Sequence, residues 1–158
     1  MKLAILSDSH GLLRPELFPL LEGMDQIVHA GDIGPASLLV QLEAVAPLTA
    51  VWGNTDGFDV RGRLPEIARR NWEGRSIVVV HGHQFGVPAP EALAEAYADA
   101  SLVVFGHTHV PTIKRVGTVL AVNPGCCGDR LKGFPPSIVY ATLTARGIAT
   151  EVVELGKE

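Results

Sequence analysis

The chain has 158 residues, 47% hydrophobic and 19% charged, with a formal net charge of -4 and two cysteines, the adjacent Cys126 and Cys127. This fits one domain, 1–158, burying roughly 70% of its unfolded surface, and excludes collagenous, disordered and disulfide-scaffold classes. The 13 basic residues form no Lys/Arg block, which argues against nucleic acid as a main partner.

In chain order, the first apolar run is 3–6, ending at Ser7-Asp8. It is too short for the roughly 7–15 apolar residues of a secretory segment, and no run reaches the roughly 18 of a membrane span. A cytoplasmic, reducing location with no membrane partner is the expectation. Residues 15–21 have helical apolar spacing; a strand follows at 27–28, and Pro35 suits a helix start before 36–45. A third strand spans 48–52. This βαβαβ pattern predicts parallel pairing with right-handed crossovers.

Residues 53–65 read as a long loop. Runs 67–72 and 75–80 flank Glu73-Gly74 as a hairpin, with 77–80 the buried part of its second arm. An Ala-rich helix is expected over 89–100, a strand over 102–105, and hairpins over 112–116 with 119–123 and 137–143 with 148–155. Residues 124–136 form a second long loop. The expected architecture is mixed α/β.

The five runs 3–6, 27–28, 48–52, 77–80 and 102–105 are read as buried strands, and each ends in polar residues of metal-ligand type. They are Asp8 and His10, then Asp32, then Asn54 and Asp56, then His81 and His83, then His107 and His109. Ligands of open α/β sheets bind beyond the carboxyl ends of strands, so five such endings are hard to treat as separate caps and turns. Oxygen and imidazole donors without thiolate suit manganese, iron, cobalt, nickel or zinc, and there are too many for one ion.

These blocks, Asp8-Ser-His10, Gly31-Asp32, Gly53-Asn54, His81 and Gly106-His107-Thr-His109, resemble the calcineurin-like metallophosphoesterase superfamily. With Asn123-Pro-Gly and the small size, the chain is similar to its compact bacterial and archaeal phosphodiesterase branch. The resemblance implies a four-layer α/β/β/α sandwich with mixed sheets. It implies two divalent ions, manganese first among the candidates, one held by Asp8, His10, Asp32 and His109 and the other by Asp32, Asn54, His81 and His107, with Asp32 bridging.

Those last four are the expected catalytic centre, acting on a small phosphorylated substrate by in-line attack of hydroxide at phosphorus. A phosphodiesterase is expected, with a phosphomonoesterase or nucleotidase, or a non-catalytic metal-binding scaffold for protein interaction, as alternatives. Thr55 stands where many relatives have a histidine, and a hydroxyl is too weak an acid to protonate a leaving group at pH 7. His83 is a candidate replacement, otherwise a loop residue. Asp56 is either a turn residue or a support for a ligand histidine. His29 is expected to be a packed histidine and Cys126-Cys127 small inert side chains. Arg130 and Lys132 are either solvated or phosphate-binding. Arg61, Arg63, Arg69 and Arg70 read as a solvated edge or interface, and a homo-oligomer is an open possibility.

Overall fold

The computed structural model describes residues 1–129 and 133–156. The elements in order are β1 (Lys2–Leu6), α1 (Leu17–Leu21), β2 (Gln26–His29), α2 (Ser37–Glu43), β3 (Leu48–Ala50), α3 (Phe58–Arg61), β4 (Ile67–Trp72) and β5 (Arg75–Val80). A 3-10 turn at His83–Phe85 precedes α4 (Pro90–Ala96), β6 (Leu102–Val104), β7 (Thr112–Val116), β8 (Val119–Asn123), β9 (Ser137–Thr144) and β10 (Gly147–Glu154).

Two mixed five-stranded sheets result, ordered β10-β9-β1-β2-β3 and β4-β5-β6-β8-β7. In the first, β1, β2 and β3 are parallel, and the β9–β10 hairpin adds antiparallel to β1. In the second, β5, β6 and β8 are parallel and each outer hairpin arm is antiparallel. The five apolar runs therefore do not share one sheet. Periodicity reports that a run is buried on both faces, and such a run fits the centre of either sheet.

Alternation builds the layers. Leu3 and Ile5 of β1, Ile77 and Val79 of β5, and Leu102 and Val104 of β6 meet in the core between the sheets. The intervening residues point outward: Ala4, Leu6 and Ile27 pack under Leu17, Leu21 and Leu42 of the first two helices. On the other side Val78, Val80 and Val103 pack against Leu93, Ala94 and Tyr97. Each fully buried Leu, Ile or Val contributes about 1.5–3 kcal/mol, so the three apolar layers hold the two sheets face to face. This is the expected α/β/β/α order, with parallel strands of both sheets ending along one edge.

The helices are shorter than their apolar patterns. The Ala-rich stretch stops at Ala96 rather than at 100, because Tyr97 adopts φ -123° and ψ 50° and turns its ring into the outer core; packing overrides alanine's helix propensity. The 53–65 loop holds α3, whose four residues are too few to show a period. Glu73 and Gly74 both have positive φ, as a two-residue hairpin turn with right-handed twist requires. Among the described residues no helix is long and apolar enough to cross a membrane.

Candidate metal centre

At the common edge two groups of ligand atoms form. Atoms of Asp8, His10 and His109 all lie within 4.8 Å of one another, as do atoms of Asp32, His81 and His107. Asp32 Oδ2 is 3.2 Å from His81 Nε2 and 3.7 Å from His10 Nε2, so one carboxylate oxygen faces both groups. In the other group Asp8 Oδ1 lies 3.2 Å from His109 Nε2 and 3.6 Å from His10 Nε2.

Three of these side chains have one polar atom fastened to protein and one turned into the site. Asp8 Oδ2 accepts from Ser7 Oγ at 2.6 Å and from the His107 N–H at 3.2 Å. Asp32 Oδ1 accepts from the Thr55 N–H at 3.0 Å. His81 Nδ1 donates to the Ala30 carbonyl at 2.7 Å, which places the ring's lone pair on Nε2. Asp8 Oδ1 and His81 Nε2 are buried with no hydrogen-bond partner among the described residues. A neutral imidazole lone pair aimed at a carboxylate oxygen is unfavourable until a cation lies between them. The donor set therefore fits divalent metal, with imidazole and carboxylate oxygen as its chemistry.

The backbone is strained at the same places. Asp8, His10, Asp32, His107 and His109 all have φ between 45° and 72°, and the one other described non-glycine residue with positive φ is Glu73 of the hairpin. Left-handed backbone at a non-glycine residue costs of order 1–3 kcal/mol and concentrates at functional sites. Glycines let the strand ends close around the carboxylates. A Cβ on Gly53 would lie 2.1 Å from Asp32 Oδ1, and one on Gly106 would lie 2.0 Å from Ser7 Oγ and 2.7 Å from Asp8 Oδ2.

Electrostatics follows this packing. Burial favours the neutral acid at Asp8, but His10, His109 and Ser7 outweigh it and hold the carboxyl well below the usual range. Asp8 pushes the pKa of His109 up to about 10, with Cys126 adding to the effect. Burial opposes charge on His81, yet Asp32 and Asp8 raise its pKa. Burial, then His81, lowers that of His107. A metal bound at His109, whose pKa of about 10 keeps it protonated near neutral pH, would have to displace that proton.

The other predicted residues divide. Asn54 and Thr55 are exposed at the rim beyond β3. Asp56 is buried, and it does not support a ligand histidine: its Oδ1 accepts from the N–H groups of Ile33 at 2.8 Å and Gly34 at 3.1 Å, and its Oδ2 from Gly53 at 2.8 Å. It binds the loop after β2 to the loop after β3, which carry Asp32 and Asn54. His83 is half-buried with its ring 5.5 Å from that of His81, and burial and His81 lower its pKa.

His29 is fully buried, and burial lowers its pKa to about 4. Gly31 N–H donates to its Nδ1 at 3.2 Å, so Nε2 carries the hydrogen and donates to Ser9 Oγ at 3.0 Å, which donates to the Ile33 carbonyl at 2.8 Å. It is the packed histidine expected. Cys126 and Cys127 are free thiols. Cys127 is buried in the apolar layer under α1, but Cys126 is closer to the chemistry than an inert filler, its thiol donating to the Asp8 carbonyl at 3.0 Å. Arg130 and Lys132 lie outside the described residues.

Two residues have supporting roles that the sequence did not reveal. Arg61 is not a solvated edge: Nε donates to the Asp56 carbonyl at 2.7 Å and Nη2 to the Asn54 carbonyl at 3.1 Å. Asn123 is buried and donates to the Gly106 carbonyl at 3.0 Å and Thr108 Oγ1 at 2.9 Å, fixing the loop that carries His107 and His109.

Comparison with known proteins identifies the family and the fold. The model of the calcineurin-like phosphoesterase superfamily domain matches residues 1–146. A probable metallophosphoesterase of Methanothermobacter thermautotrophicus is 29% identical over 168 residues, covering 99% of this chain and 94% of that one. The Escherichia coli phosphodiesterase YfcE is 31% identical over 161 residues, covering 87% and 85%. Among solved structures, vacuolar protein sorting 29 from Cryptosporidium parvum superposes with TM-score 0.80 at 18% identity over 99% of this chain and 98% of that one. An archaeal phosphodiesterase does so with TM-score 0.73 at 24% identity, over 97% and 100%; at such identities the likeness is one of fold. With the family model spanning residues 1–146, almost the whole chain, the protein belongs to the calcineurin-like phosphoesterase superfamily.

Proposed function

We propose that the protein is a phosphoesterase with two divalent metal ions, manganese first among the candidates, that hydrolyses phosphodiesters in preference to monoesters. Asp8, His10, Asp32 and His109 would hold one ion, and Asp32, Asn54, His81 and His107 the other. The observation that carries this reading is the position of Asp32 Oδ2, 3.2 Å from a nitrogen of one group and 3.7 Å from a nitrogen of the other. A pair of ions, when bound, supplies Lewis acidity toward phosphate oxygens and acidifies water near neutral pH.

The protein's own groups set the conditions for that chemistry. Asp8 and Asp32 bring fixed negative charge on one free oxygen each, and their second oxygens are held by Ser7, His107 and Thr55. Asn54 adds a neutral oxygen, which leaves its ion more electrophilic than a third carboxylate would. Among the described residues the rim offers weak proton donors: Thr55 has a hydroxyl, and burial and His81 lower the pKa of His83. Esters with acidic leaving groups, which depart without a proton, are therefore the preferred substrates.

The test is hydrolysis of bis(p-nitrophenyl) phosphate and p-nitrophenyl phosphate with added manganese. Faster diester turnover is expected, with a loss of about a hundredfold or more in Asp32→Asn. A dominant monoester rate would reverse the preference. Metal binding with no turnover of either ester would favour the scaffold.

A further inference from the structure

Beside Asn54 the rim presents a surface that the metal centre does not use. Phe58 is 95% exposed, more than any other large apolar side chain among the described residues. With Asp56, Gly57 and Arg61 it lines a cleft of about 270 Å³. Phe58 and Arg61 are three residues apart on α3 and so share a face.

Arg61 is held rigidly for an exposed residue. Two backbone carbonyls fix its guanidinium, which lies 4.4 Å from the centroid of the Trp52 ring, while the residue stays open to solvent. Trp52 in turn lies 5.5 Å, ring to ring, from His83. Of the acidic neighbours, Asp56 is buried and accepts from three backbone N–H groups, while Asp59 is exposed and accepts from that of Ala36 at 3.0 Å. The cleft is thus walled by an open phenyl ring and a flat, immobilised cation. It sits next to Asn54 because Arg61 bonds that residue's carbonyl.

Phenyl and guanidinium faces both stack on planar aromatic groups, and nucleobases are bound this way without base-specific hydrogen bonds. We propose that Trp52, Arg61 and Phe58 form a subsite for the base of a nucleoside phosphodiester, seated while its phosphate lies at the metal centre. The phosphate end of this inference rests on the phosphoesterase reading. The base end rests on the cleft.

The experiment compares adenosine 5′-monophosphate with ribose 5-phosphate, which lacks the base, by titration calorimetry of the manganese-loaded protein. Adenosine monophosphate is expected to bind about fivefold tighter or better, as one stacked base allows. Phe58→Ala should bring the ratio of the two dissociation constants close to one. Val152→Ser, at an apolar residue of β10 that is 42% exposed, should leave the ratio as it is. Equal affinities in the unaltered protein, no binding of either compound, or a ratio unmoved by Phe58→Ala would each overturn the subsite. Manganese-dependent diester hydrolysis reads the other claim separately. Hydrolysis with equal affinities refutes the subsite alone, and a preference for adenosine monophosphate without hydrolysis refutes the phosphoesterase reading alone.

Discussion

The floor of the site and its rim are built differently. On the floor Asp8, Asp32 and His81 are buried, each is fixed through a second polar atom, and the carboxylates sit on left-handed backbone against glycines that tolerate no Cβ. On the rim Asn54, Thr55 and Phe58 are exposed, and Arg61 holds their loop in place. The floor is over-determined because donors to a small cation must be placed within tenths of an ångström. The rim carries no such constraint, and under the proposed function it would face the part of a substrate that distinguishes one ester from another.

Changes on the floor should therefore cost most. Gly53→Ala puts a methyl group 2.1 Å from Asp32 Oδ1 and 2.5 Å from the Asp32 nitrogen, and backbone cannot yield as a flexible side chain can. Displacing Asp32 by about 1 Å should lower diester hydrolysis by several hundredfold. A variant keeping a tenth of the activity would show the floor to be looser than described.

Asp56→Ala tests the link between floor and rim. It leaves three backbone N–H groups without their acceptor, two of them buried, at a cost of about 4 kcal/mol in urea denaturation. A cost below about 1 kcal/mol would mean that the two loops hold without it.

His29 gives the floor a pH signature in the metal-free protein. Its folded pKa of about 4 lies below the unfolded value of 6.5, so the unfolded chain takes up the proton first. Stability should be complete above about pH 6.5, fall as pH drops, and level off below about 4 after losing about 3 kcal/mol. Subtracting the curve for His29→Gln isolates this contribution. Asp8, with its lowered pKa, acts in a separate window, losing its contribution below the usual carboxylate range. His109, with its raised pKa, contributes most below 6.5 and loses that contribution as pH rises towards about 10.

The smallest effect belongs to the rim. Thr55→His adds a proton donor at an exposed position beside Asn54. Turnover of a diester with an alkoxide leaving group should rise about tenfold. No rise would show that position 55 does not reach the leaving oxygen.

The same division governs what could be read from the sequence. Strand ends were legible because a β-branched run that stops at Asp, Asn or His marks both burial and the place where it ends, and the first hairpin was legible from Glu73-Gly74. The division of strands between two sheets was not, since β1 and β5 have the same apolar character on both faces. Asp56 read as a turn residue or a histidine support because its partners are backbone N–H groups; two of them, on residues 33 and 34, lie 23 and 22 positions away. Arg61 and Asn123 also act on carbonyls, which have no letter in a sequence. Left-handed φ at five candidate ligand positions was equally hidden, although the neighbouring glycines hinted at close packing.

The most direct test of the shared Asp32 is diffraction from crystals soaked in manganese, with anomalous differences locating the metal. The account predicts two peaks per chain, about 3.5–4 Å apart, with Asp32 Oδ2 between them. A single peak, or two with Asp32 touching only one, would contradict it.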